Sequence, residues 1–431
     1  MNASHGLTVC GQLFQALSLP IRKTVAAAAT ALIGSQVVGV SALGRELKGR
    51  AQPNSGVKRI ERLITNRRFD VLAACSGLIA KVIRRNRRVF VCMDWTDQGN
   101  FQRLELAVAT GSRTIPIFWR VVSKTIFSAG ESSQNKFEEE FIKEFISLLP
   151  RGAQVVLLAD RGFGRTEFFR FLSSCDGLEY VIRVKGDTWI RNSNGTLRMK
   201  EQRVPPGQVW DLGLVAYRDI EDAEHAVQVR GVIAFGMAAE EPWYLVTNLH
   251  DEALQVAGAY ARRFEIEETF RNQKDLRFGF GLRLVRLKEG IRYERLLVVV
   301  AVACLIAFGV GVHAENVGLH RQFQVNTRTV RQHNLITLGC YWFDSVRLTT
   351  IGLMTAVVSA ILRRVEAFDG VVSQGVLAQR ARPPRRRSEA PEGPPTPAST
   401  ESQQAPAPRK RPETEDEAKH KMGILRMLAV G

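Results

Sequence analysis

A chain of 431 residues with 45% hydrophobic composition can bury a sizeable core, and its length points to two or three domains rather than one. Sixty Lys+Arg against 43 Asp+Glu give a formal net charge of +17, so polyanions are the expected partners, nucleic acid ahead of anionic membrane. Cys10, Cys75, Cys92, Cys175, Cys304 and Cys340 form no CxxC pair and the seven histidines are scattered. That argues against a zinc site and a secreted disulfide framework, and leaves carboxylates to hold any metal.

Residues 1–87 carry leucine-rich and small-residue helical patterns, followed by a basic run, LKGRAQPNSGVKRIERLITNRR, and the cluster Lys81, Arg84, Arg85, Arg87 and Arg88. They read as a helical, DNA-binding region, with a solvated bundle as the plainer alternative. The alanines 26–29 only weakly imitate a signal peptide, so export is not expected and the thiols are expected to be reduced, in the cytoplasm.

From residue 88 the pattern changes to strands: RVFVCMD (88–94), RLELAVA (103–109) and TIPIFWRVV (114–122), joined by short turns. A helical pattern follows over 136–149, then a buried-type strand, QVVLLAD (154–160), a helix over about 165–174 and the strand YVIRV (180–184). This β-β-β-α-β-α-β order is that of an RNase H-like α/β sheet, with a first core part at 88–186. Its first and fourth strands end in Asp94 and Asp160. Short strand-like runs over 187–249, such as AVQVRGVIAFG and PWYLVTNL, read as an inserted β-rich subdomain, and the core resumes over 250–300.

The segment YARRFEIEETFRNQK (260–274) has helical character. At about 100° per residue, Tyr260, Arg263, Glu267 and Lys274 fall at roughly 0°, 300°, 340° and 320°, and Arg271 at about 20°. An acid among phosphate-seeking cations suits a metal-bearing site that grips a nucleic-acid backbone; a solvated face with i,i+4 ion pairs is the alternative. Glu265 and Glu268 point roughly 160° and 100° away from Glu267. Next comes LLVVVAVACLIAFGVGVHA (296–314), which is long enough to span a membrane but is a lone candidate, rich in Val, Ala and Gly, that follows closely on the charged helix. A buried core helix is expected, within a helical C-terminal region at 301–379. Nine of the chain's 16 prolines lie between Pro383 and Pro412, beside the Arg385–Arg387 and Arg409–Arg411 clusters, so 380–431 is expected to be a disordered Pro/Arg-rich tail.

Asp94, Asp160 and Glu267 in one cleft would bind two Mg²⁺ ions, or Mn²⁺ as substitute, and support in-line phosphodiester displacement. Water as the nucleophile gives hydrolysis, and a DNA 3′-hydroxyl gives strand transfer. Taken singly, Asp94 reads as a strand-end turn residue and Asp160 as a helix cap. Asp97 is the nearest decoy.

The chain resembles bacterial insertion-sequence transposases of the DDE class, in the branch marked by Y-x₂-R-x₃-E-x₆-K. That signature stands here as Tyr260, Arg263, Glu267 and Lys274, together with DWTD at Asp94, ADRGFGR at Asp160 and the strand YVIRVKG. The resemblance implies an RNase H-like core with an inserted β-rich subdomain, Mg²⁺, and terminal inverted repeats and target DNA as double-stranded partners. It further implies cut-and-paste transposition, a homodimer in the synaptic complex and a nucleoid-associated cytoplasmic location without membrane. Tyr260, Arg263 and Lys274 would hold phosphates, with Arg161 and Arg271 nearby. Some relatives flip a base against an aromatic side chain of the insertion, where Trp243 stands. The competing readings are a catalytically silent DNA-binding protein derived from a transposase, and a membrane-associated protein anchored by 296–314.

Overall fold

The computed structural model describes residues 3–360 apart from 48–51, 86, 128–132, 194, 219–225, 276–278, 329–330, 346–351, 353–354 and 358. The Pro/Arg-rich tail at 380–431, with its two arginine clusters, therefore lies outside the described residues.

Five helices open the chain: α1 (Ala3–Leu13), α2 (Leu19–Ser35), α3 (Val40–Glu46), α4 (Pro53–Thr65) and α5 (Val71–Val82). Their starts follow from local chemistry. Proline occupies the first turn of α2 and α4, where its missing N–H has no partner to lose, and the Asp70 carboxylate accepts from the Ala73 N–H at 3.1 Å to cap α5.

The sheet begins with β1 (Arg88–Gln98), β2 (Phe101–Ala109) and β3 (Thr114–Ser123), followed by α6 (Gln134–Ser147), β4 (Gln154–Ala159), α7 (Thr166–Ser173) and β5 (Leu178–Val184). The spatial order β3-β2-β1-β4-β5, with β1–β2–β3 antiparallel and β1, β4 and β5 parallel, is RNase H-like. The β-rich insertion adds β6 (Trp189–Asn192), β7 (Gly195–Arg198), β8 (Gln208–Tyr217), β9 (Val227–Phe235) and β10 (Trp243–Thr247). Rather than folding as a separate layer, these strands continue the same sheet: β10 pairs antiparallel with β5, and the order runs on β9-β8-β6-β7 to make ten strands.

Two details differ from the sequence reading. Asp94 does not end its strand. Gly99, at φ 60°, turns the chain tightly enough for β1 and β2 to stay paired out to Gln98–Phe101, so only the pairing of β1 with β4 stops next to Asp94, at Met93–Ala159. Nor is 260–274 one helix. It is the end of α8 (Ala253–Ala261) and all of α9 (Phe264–Lys274), joined at Arg262–Arg263 by i→i−3 bonds from Arg262 N to Ala259 O and from Arg263 N to Tyr260 O.

Strand alternation sorts the side chains onto two faces. Phe90 and Cys92 of β1, Ala107 of β2 and Val156 and Leu158 of β4 pack with Tyr260, Phe264, Ile266 and Phe270 of α8 and α9. Val89, Val91, Met93, Val155, Leu157 and Ala159 face the other way, toward α6, α7 and the long helix α10 (Gly290–Asn316). α10 contains the 296–314 stretch. Among the described residues it is the single unbroken helix long and apolar enough to cross a membrane, yet 94% of its most apolar stretch is buried inside the protein, against α2, α4, α5, β3 and α11 (Leu335–Trp342).

The α10–α11 contact relies on missing side chains. A Cβ on Gly339 would stand 1.7 Å from the Ala307 carbonyl oxygen, and one on Gly311 would stand 1.9 Å from that of Leu335. The Gly339→Ala variant is expected to lose about 1–3 kcal/mol, as over-packed cores do, read as a lower unfolding midpoint in urea.

Candidate active site

The parallel register of β1 and β4 builds the centre of the site. Met93 lies opposite Ala159, so Asp94 and Asp160 are the next residues on adjacent strands, and alternation continues the Phe90–Cys92 and Val156–Leu158 rows onto them. Both carboxylates thus belong to the face covered by α9, which carries Glu267. Cys92 Sγ donates to the Arg262 carbonyl at 3.5 Å, docking the α8–α9 joint against β1. From that joint Arg263, 8% exposed in its side chain, sends one guanidinium nitrogen to Asp94 Oδ2 at 3.2 Å and another to Glu267 Oε1.

Burial pushes the Asp94 carboxyl up to about 6, with Arg263 opposing, Asp160 and Glu267 adding to the rise, and the Trp95 N–H, which donates to Asp94 Oδ1 at 2.8 Å, also opposing. Burial alone would disfavour a charged Arg263, but Tyr260, Asp94, Glu267 and Asp160 together hold it protonated well above its ordinary value. The Asp160 carboxylate accepts from Gly162 N at 2.9 Å, capping the 3₁₀ turn Arg161–Phe163; it is a cap as well as a member of the acidic group.

The other expected residues divide. Tyr260 is 1% exposed, with its hydroxyl pushed up by burial, and packs edge-on to Trp243 with centroids 5.1 Å apart; Trp243 in turn stacks on Phe264 at 5.6 Å. Trp243 is thus built into the wall behind Arg263. Lys274 donates to Thr96 Oγ1 at 2.5 Å, and burial followed by Arg103 lowers its ammonium. Arg161 is exposed beside Asp160. Arg271 is not drawn into the acidic group: it pairs with Glu268 at 2.8 Å, with 53% of its side chain exposed.

The decoy acids have other partners. Glu265 Oε2 accepts from Thr110 N and Gly111 N, both at 2.8 Å, and Glu268 also lies 3.4 Å from Arg113, so both tie α9 to the β2–β3 turn. Asp97 points away and pairs with Lys124 at 3.1 Å.

Sequence reading missed a second charged layer below the acids. Glu105 pairs in register with Asp94 and Arg103 with Thr96, so both share the α9 face; each is 0% exposed. Arg103 Nε lies 3.2 Å from Glu105 Oε2, Arg103 Nη2 donates to Gln273 Oε1 at 2.7 Å, and the guanidinium sits 5.0 Å over the Phe270 ring. Burial pushes the Glu105 carboxyl up to about 6 against the pull of Arg103 and Lys274. The charges at alternate positions in the apolar run RLELAVA were the signal that could have found this pair.

Hard carboxylate oxygens suit Mg²⁺ or Mn²⁺, and the raised Asp94 carboxyl marks a need for positive charge. Arg263 meets that need. Among the described residues no three His, Cys, Asp or Glu side chains are gathered so as to hold one metal ion, and a cation entering here competes with the guanidinium for the same oxygens.

Residues 102–305 match the family described as the transposase DDE domain. The chain carries a transposase DDE domain. The match spans Asp160, Tyr260, Arg263, Glu267 and Lys274 and begins just inside β2, so Asp94 lies outside it. Comparison with curated proteins gives no match. The transposase domain assigns the chain to DNA transposition and to a mobile element, and its family works on DNA with divalent metal ions.

In this transposase, Arg103→Met alone leaves a buried carboxylate without its cation and is expected to cost about 3–5 kcal/mol, whereas Arg103→Met with Glu105→Leu should recover most of that. Denaturant unfolding of the two variants makes the comparison.

Proposed function

We propose that the chain is a Mg²⁺-dependent transposase that cleaves DNA at the ends of its own insertion element and joins the exposed 3′-hydroxyls to target DNA, with one active site for both steps. The observation that carries this reading is the meeting of Asp94 and Asp160, at one level of adjacent parallel strands, with Glu267 reached through Arg263. Asp94, Asp160 and Glu267 are the residues proposed to hold two ions. Bound Mg²⁺, or Mn²⁺ in its place, would stabilise the attacking and leaving oxygens of an in-line displacement.

The chain's own groups do the positioning. Arg263 and Lys274 stand on either side of Glu267 with their charges directed at the acidic group and at Thr96, suited to hold the phosphates flanking a scissile bond. Arg161 and Arg271 offer exposed cations at the rim. Tyr260, packed with Trp243 and Phe264, holds Arg263 in line, and any base stacked on Trp243 would have to reach its half-buried edge. The helices of residues 1–87, with basic side chains along α4, are proposed to bind the terminal repeats, while 187–249 extends the platform on which the DNA lies. A homodimer in the synaptic complex and a nucleoid-associated, cytoplasmic location complete the proposal.

The test is Mg²⁺-dependent cleavage of a labelled duplex carrying the element's end. Wild type is expected to cut and leave a 3′-hydroxyl, and Glu267→Ala to bind the same duplex without cutting. Binding without cleavage by both, in Mg²⁺ and in Mn²⁺, would replace the enzyme with a silent DNA-binding protein. Lys274→Ala is expected to weaken end binding across sequences and to reduce the salt slope by about 1, as the loss of one phosphate contact does.

A further inference from the structure

Backbone pairing between β1 and β4 brings Asp94 and Asp160 to one level but ends at Met93–Ala159, one residue short of them. Beyond that last pair, a buried side chain on the opposite face of the sheet links the two strand ends. Glu138 of α6 is 1% exposed. Its Oε1 accepts from Trp95 Nε1 at 2.8 Å and from Gln134 Nε2 at 3.0 Å, and its Oε2 accepts from Arg165 Nη1 at 2.6 Å. Trp95 directly follows Asp94, and Arg165 closes the turn that Asp160 opens.

Both arms are stiff. Trp95 is set between Phe127 and Phe137, with ring centroids 5.9 and 5.8 Å away. Arg165 lies 4.4 Å over the Phe168 ring and gives a second nitrogen to the Asn135 carbonyl at 3.2 Å. On the site side, Trp95 N binds Asp94 Oδ1 and Gly162 N binds Asp160 Oδ1. One path of short contacts therefore runs from Asp94 through Trp95, Glu138 and Arg165 to the Asp160 turn. An apolar pair of the same volume would support the fold about as well, since desolvating a buried ion pair offsets most of its attraction. It would not tie the two strand ends together.

We infer that Glu138 is a positioning residue that sets the spacing of Asp94 and Asp160 and, through it, their joint affinity for a divalent cation. This rests on the reading of those aspartates as metal ligands. Groups that orient ligands without touching the metal typically contribute about ten- to hundredfold in affinity, and that range is expected here.

The experiment is calorimetric titration of Mn²⁺ into the DNA-free full chain, with cation-free unfolding measured on each variant. Asp94→Ala and Asp160→Ala test the underlying reading: unchanged Mn²⁺ affinity in both refutes the aspartates as ligands, whatever Glu138 does. If they lose binding, Glu138→Gln is expected to weaken Mn²⁺ by about ten- to hundredfold. The double variant Glu138→Met with Arg165→Met is expected to unfold near the wild-type midpoint and still bind Mn²⁺ weakly, a separation that a merely structural role would not produce. Trp95→Phe, which removes the indole N–H while keeping an aromatic ring between Phe127 and Phe137, should weaken Mn²⁺ by a smaller factor and decides the matter if no Glu138 variant folds. Wild-type affinity in Trp95→Phe and in every Glu138 variant that folds would overturn the inference.

Discussion

The constraint on which the rest depends is the concentration of negative charge on one face of the sheet. Two carboxylates about 4 Å apart in surroundings of effective dielectric near 20 repel by roughly 4 kcal/mol, so Asp94, Asp160, Glu267 and the buried Glu105 gather only because cations are placed among them. Arg263 serves Asp94 and Glu267 from above, Arg103 serves Glu105 from within the sheet, and Arg165 neutralises Glu138 behind it. Each arginine is in turn fixed by aromatic packing: Phe264, Phe270 and Phe168 lie under the three guanidinium groups. The site is a layered arrangement of charge in which the acids open to one side and the cations are locked in place.

The α8–α9 joint follows from that requirement. The 3₁₀ turn at Arg262–Arg263 lets α8 lean on β5 and the insertion strands β8 and β9, and α9 on β1 and the β2–β3 hairpin. Glu265 and Glu268 hold α9 to that hairpin, and this frees Glu267 for the opposite role. Three acids within four residues thus have separate tasks, decided by the face each occupies.

Much of this was legible in the sequence. The strands β1 to β5 announce themselves through short apolar runs and the turn residues between them, and helical arithmetic separates Glu267 from Glu265 and Glu268. What the sequence could not show depends on contacts between distant segments. The joint at Arg262–Arg263 contains no glycine or proline to mark it. Arg271 falls on the same stripe as Glu267 by rotation, yet Glu268, three residues before it on the same helix, claims its guanidinium. The level meeting of Asp94 with Asp160 rests on a parallel register that neither strand encodes alone. Glu138 looked like one of several acids in KFEEEFIKEF, and only tertiary structure singles it out.

The burial of α10 has a consequence for the order of synthesis. A stretch as apolar as a membrane span leaves the ribosome before the protein is complete and must find cover at once, because exposed apolar surface in a nascent chain aggregates. Part of its cover, helices α2, α4 and α5 and strand β3, precedes it in the chain and is already made when it emerges. The 3₁₀ turn Leu319–Phe323 and α11, its most extensive partner, arrive later. The N-terminal helices therefore act, for the length of translation, as a cradle waiting for the protein's most insoluble segment.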